Sequence, residues 1–232
     1  AEGMTRQDDA EVDVVEVVDA QDVQPPTQEQ SDSGAAVAVG LIAYSALAAM
    51  TRLAKDGDQA PSTKFHVDLA SMANDSFTRF QALEGFGESH GFSTVEAAGQ
   101  YAGMFDELDH RTRPSNWWER SVKSYIVIGI FADALREIAS RHQVFVTDTF
   151  QWDVGHGKWV RQHLAPLTAE DPQLAARLSL WGRRVAGETF GLLRATLFTY
   201  PELAIDPDTV DAVVAYAAGR HQERMEAVNL KA

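Results

Sequence analysis

The chain contains no cysteine. That absence removes disulfide frameworks, thiolate zinc sites, iron–sulfur clusters and cysteine nucleophiles in one step, and it fits a reducing compartment, so a cytoplasmic location is expected. Other signatures are missing too. No glycine-rich phosphate loop, Gly-x-Ser-x-Gly elbow or His-Glu-x-x-His pair occurs, which sets aside the nucleotide, ester and zinc chemistries that leave a local motif. A basic start followed by a short apolar core and a small-residue cleavage site is absent, so no secretory signal is expected. Alternating apolar and polar runs bounded by hairpin turns are lacking as well, which argues against a sheet.

Charge is scarce in one place and concentrated in another. Between Asp32 and Arg52 no charged residue occurs. The uncharged stretch from Gly34 to Met50 is shorter than the roughly 20 predominantly apolar residues that span a bilayer. It is mostly alanine and glycine and holds Tyr44 and Ser45, so a buried central helix is expected and no membrane contact. The formal net charge is −14. Residues 1–33 carry ten acids against the single base Arg6, leaving 24 acids and 19 bases, or −5, for residues 34–232. So mild an excess gives no electrostatic reason to expect a nucleic-acid partner.

Two regions follow from this pattern. Residues 1–33 read as an acidic arm: Val12, Val14, Val15, Val17 and Val18 lie among acids, then Pro25, Pro26 and a polar tract end any regular element. The composition is that of a solvated tail, or of a valine strip that docks on the body or on a neighbouring subunit. Residues 34–232 carry the helical period almost throughout. Helices are expected over about Gly34–Lys55, Ser62 or Thr63 to Gly85, a shorter one ending near Arg113-Pro114, one opening at Ser115 as cap, one over Val144–Leu167, one over Pro172–Phe198 and one over Pro207–Val228. Four helices longer than twenty residues, followed by further helices toward the C-terminus, predict an all-α bundle with additional C-terminal helices.

Several stretches carry a family likeness. They are Trp118-Glu119, Tyr125, Ala132-Asp133-x-x-Arg136-Glu137-Ile138-Ala139, Asp153-Val154-Gly155-His156, Leu180-Trp181-Gly182-Arg183-Arg184 and Gly187-Glu188. Residues 34–228 thereby resemble the ferritin-like actinobacterial proteins grouped with the tRNA hydroxylases that act on methylthio-isopentenyl-adenosine. The resemblance implies a ferritin-like four-helix bundle. In such bundles a di-iron site takes one carboxylate from each of two helices and a Glu-x-x-His pair from each of the other two. Residues i and i+3 share a helix face, so one carboxylate and one imidazole reach the same metals.

Laid on this chain, that template places Ala46 where the first carboxylate belongs, Ser76 and Arg79 where the first Glu-x-x-His pair belongs, and Ile128 near the third carboxylate, with Asp133 further along the same helix. Asp153 and His156 alone keep ligand chemistry. Two ligands on one helix cannot neutralise two irons, and a guanidinium stays protonated and repels a cation. No cofactor is therefore expected, with iron at a residual Asp153 and His156 site as the alternative.

The inward stripes suggest an interior polar cluster of Ser76, Arg79, Asp153, His156 and Glu188. Arg79 in place of the metal charge, paired with Asp153 or Glu188, is one reading of it, since a buried carboxylate needs a partner. A mononuclear metal site is another, and exposure through a break at Gly155 to Gly157 a third. Asp133 and Glu137, spaced i, i+4 beside Arg136 and Arg141, read as a solvated face. Trp117, Trp118, Trp152, Trp159 and Trp181 read as packing residues, because no basic stripe interleaves them. Arg177, Arg183 and Arg184 are too few to make a nucleic-acid surface. The functional expectation is a non-catalytic ferritin-like protein, a homodimeric scaffold or binding subunit for a protein partner or small ligand. A metal-dependent oxidoreductase related to the tRNA hydroxylases is the alternative.

Overall fold

The computed structural model describes residues 28–144 and 151–232. Most of the acidic arm, and Thr149 with its neighbours, fall outside these residues. Among the described residues there are eight α-helices and a 3₁₀ turn, and no strand. They are α1 (Gln28–Asp58), α2 (Thr63–His90), α3 (Thr94–Gly99), α4 (Asp106–Arg111), α5 (Trp117–Arg141), α6 (His156–Glu170), α7 (Pro172–Thr199) and α8 (Pro207–Glu226), with the 3₁₀ turn Pro201–Leu203 before α8. The all-α bundle is as expected. The segment read as the arm ends in helix, because α1 already begins at Gln28.

The helix ends have local causes. Ser62 lies extended and its hydroxyl accepts from Phe65 N at 3.2 Å, opening α2. That helix continues past Gly85 to His90 and stops at Gly91, whose φ of 78° is the left-handed closure glycine adopts without strain. Asn116, one residue after the expected Ser115, caps α5 by accepting from Glu119 N at 3.0 Å, and its amide donates to the Glu119 carboxylate at 2.8 Å. Asp171 with Pro172 and Asp206 with Pro207 open α7 and α8 as cap and first-turn proline.

Helix α5, not α1, is the centre of the molecule. Every residue from Ser121 to Leu135 is buried, and α5 packs on α1, α6, α7 and α8. A wholly wrapped helix must find partners for its polar side chains. Lys123 donates to Thr112 O at 2.8 Å, Ser124 donates to the Asp56 carboxylate, and Asp133 accepts from Arg224 at 2.8 Å. Helix α1 lies chiefly along α2 and α3. It is buried from Ala38 to Ala43 and half-buried from Tyr44 to Met50. Its Ser33–Asp58 segment is long and apolar enough to cross a membrane by length and composition. Here the last turn of that segment holds Asp56, buried against α5 and paired with Arg120.

The largest departure from expectation lies before α6. A helix over Val144–Leu167 was expected to carry Asp153 and His156 on one face. The helix instead starts at His156. Val154 and Gly155 have φ of 54° and 81°, and a residue in that left-handed region cannot continue a right-handed helix. Asp153 stabilises the turn, accepting from Gly155 N and Gly157 N at 3.0 Å each.

Candidate functional site

The four template positions come together. Ala46 of α1, Ser76 and Arg79 of α2 and Ile128 of α5 all line one cavity of about 60 Å³, which Trp152 and Val154 of the turn before α6 help enclose. The rest of the lining is largely aliphatic and aromatic, with Ile42, Leu83, Phe105 and Phe131 among it. A cavity of this size holds a few waters or a group of a few heavy atoms. Two hydroxyls in its wall, Ser45 and Ser76, are buried without a hydrogen-bond partner among the described residues.

Arg79 is half-buried at this chamber. Burial pulls its guanidinium down to about 10, against the opposing attraction of Asp153 and then Asp75. It remains a cation at any physiological pH. His156 is buried at 1% exposure and stacks on Trp159, ring centres 6.2 Å apart. Neither ring nitrogen has a hydrogen-bond partner among the described residues. Burial pushes its pKa down to about 4, Asp153 pulling the other way, so the ring is neutral near pH 7.

Glu188 does not join this group. It sits on α7 and faces α4, 3.7 Å from Arg111, and is about one-third exposed. The interior cluster is therefore smaller than expected. Ser76 and Arg79 border the chamber, Asp153 acts on Arg79 and His156 through its field, and Glu188 is elsewhere. Asp133 also departs from expectation. It is 6% exposed, bonded to Arg224 of α8 and 3.9 Å from Arg220, rather than on a solvated face.

A model of the ferritin-like domain of actinomycetes matches residues 29–197. The chain belongs to that family. No curated protein matches it. The matched span runs from α1 almost to the end of α7 and takes in the chamber, whereas α8 lies beyond it.

A di-iron centre, which the ferritin-like fold implies, does not fit the residues of this family member. Ala46 and Ile128 present hydrocarbon, Ser76 a neutral hydroxyl and Arg79 a positive charge at the chamber where carboxylates and an imidazole would be required. Asp153, off the helix, spends its oxygens on two backbone N–H groups. Among the described residues no three carboxylate or imidazole side chains converge to hold a metal ion.

Two groupings escaped the sequence. One is the ion network of Arg52, Asp56, Asp109, Arg120 and Lys123 at the other end of α1. The other is a cleft of about 410 Å³ across Trp152 from the chamber, lined by Arg136, Arg161, Arg220 and Arg224. The i, i+4 spacing of Arg220 and Arg224 was the visible signal for the second.

Proposed function

We propose that this protein is a non-catalytic member of the ferritin-like family, a cytoplasmic binding subunit that uses the position of the metal centre as an apolar chamber. One observation carries the reading. Ala46, Ser76, Arg79 and Ile128 converge on the same small cavity, so the ligand substitutions act together at one place. Four donors are replaced there by hydrocarbon, a hydroxyl and a fixed cation, and a guanidinium opposes the charge that two irons would bring. Protein purified from iron-supplemented cells is expected to contain well under one iron per chain by elemental analysis. About two irons per chain would overturn the reading.

The second reading is a metal-dependent oxidoreductase related to the tRNA hydroxylases, with an altered or mononuclear site. It is favoured by His156, whose two buried ring nitrogens lack partners among the described residues. It requires metal-dependent absorption that disappears in His156→Ala. Spectra identical in the two proteins would dismiss it.

A further inference from the structure

The arginine-rich cleft lies between α5 and α8 and is closed by the turn holding Trp152 and Asp153. Four guanidinium groups border it against three carboxylates, Asp133, Asp153 and Glu223. Those carboxylates are engaged unequally. Asp153 accepts from two backbone N–H groups. Glu223 pairs with Arg220 at 2.6 Å on the exposed rim, so the charge of that guanidinium is already offset. Asp133 meets the buried guanidinium of Arg224.

Arg224 is the built part of the site. Its side chain is 10% exposed. Gly129 of α5 leaves the space it occupies, since a Cβ there would lie 2.6 Å from its Nε. Tyr125 fixes its backbone by donating to Arg224 O at 2.5 Å. Nη2 donates to Asp133, while Nη1 is buried with no hydrogen-bond partner among the described residues. A buried charged donor without an acceptor is unfavourable. Arg136, exposed at the rim, makes no ion pair among the described residues. The planar fork of arginine matches the oxygens of a phosphoryl group, and the indole of Trp152 walls the same cleft.

We infer that this cleft binds a phosphate monoester of metabolite size. Its phosphoryl oxygens accept from the guanidinium groups of Arg136 and Arg224, and its organic part lies against Trp152. The volume suits a small ligand. A nucleic-acid backbone would require a longer basic track than one cleft in a body of net charge −5 (24 acids, 19 bases, residues 34–232). The inference rests on the reading of the chain as a binding protein and names the class of its ligand.

Inorganic phosphate and phenyl phosphate serve as probes, titrated calorimetrically into the full chain, with tryptophan fluorescence followed in parallel. One phenyl phosphate per chain is expected, held more tightly than inorganic phosphate and accompanied by a fluorescence change. Arg136→Ala, at an exposed position, is expected to weaken binding about tenfold. Arg224→Lys keeps a charge beside Asp133 but removes the second N–H group, and should weaken it at least as much. Arg177→Ala, on the exposed side of α7, should bind as the unaltered protein does. Absence of saturable binding, or equal binding by Arg136→Ala and the unaltered protein, would overturn the inference. So would retention of a single-stranded RNA oligonucleotide without binding of phenyl phosphate. Iron content measured on the same sample judges the binding-protein reading separately. An iron-free protein that ignores both probes defeats only the inference, and two irons per chain defeat the reading whatever the probes do.

Discussion

Ala46 and Asp56 are ten residues apart on α1, about 15 Å along one helix axis, yet their surroundings are opposites. At Ala46 the interior is an apolar chamber with Ile128 and Ser76 in its wall. At Asp56 the interior is crowded with charge. Asp56 accepts from Ser124 and lies 3.5 Å from Arg120, and Asp109 lies 3.0 Å from Arg52 and 2.8 Å from Lys123. The difference is one of partners. Helices α4 and α5 supply opposite charges at the Asp56 end, and a buried ion needs them to offset its lost hydration. At the chamber two guanidinium groups line the wall: Arg52, already paired with Asp109, and Arg79, already under the influence of Asp153 and Asp75. Buried charge is held where neighbouring helices were built to receive it.

The comparison breaks most visibly if a carboxylate is placed in the chamber. Ile128→Glu should lower stability by about 4 kcal/mol at pH 7, since Arg52 and Arg79 are already engaged by Asp109, Asp153 and Asp75 and a new buried carboxylate is left without a partner of its own. Burial raises the pKa of such a carboxyl, so the loss should shrink at pH 5, where more of it is protonated. Urea unfolding at the two pH values reads both quantities. A loss below about 1 kcal/mol at pH 7 would mean that Arg79 or Arg52 neutralises the new acid and that the chamber is not the charge-intolerant region described.

His156 sharpens the contrast through its response to acid. Its ring titrates at about 4 in the folded chain against an ordinary 6.5, so the unfolded chain binds the proton first. Its contribution is intact above pH 6.5 and is lost as pH falls from there to about 4, up to about 3 kcal/mol in all. His221, also pushed down to about 4 by burial and by Arg224, acts in the same window. His156→Leu should therefore flatten roughly half of the fall in stability between pH 6.5 and 4. An unaltered slope would show that this imidazole reaches water in the folded state.

Sequence reasoning succeeded where causes are local. Asp171 with Pro172 and Asp206 with Pro207 mark helix starts by chemistry confined to a few neighbours. The helical period, joined to the family template, aligned positions 46, 76, 79 and 128, and all four line one cavity. It failed where the cause is a partner far along the chain or a backbone angle without a composition signal. Val154 takes φ of 54°, an angle no β-branched residue advertises, and that turn removes Asp153 from the helix. Glu188 is drawn to Arg111 on a six-residue helix. Asp133 looked solvated beside Arg136, but its partner Arg224 is 91 positions away.

The smallest expected effect tests the charged end against itself. Burial raises the pKa of Asp56 despite Ser124 and the nearby Arg52 and Arg120. A raised carboxyl contributes most below its ordinary 3.8 and loses that contribution as pH rises through its folded value. At pH 7 its ionised form is a net burden, so Asp56→Asn should leave stability unchanged or raise it by up to about 1 kcal/mol. Asp109 behaves in the opposite way. Burial pushes it up, but Arg52 and Lys123 together hold it below 3.8. Its contribution is present above that value and lost as pH falls through the folded one. Asp109 is 44% exposed, so solvent limits the effect, and Asp109→Asn should cost about 1 kcal/mol at pH 7. Equal losses in the two variants would mean that the end responds as one network, and that burial does not separate its two carboxylates.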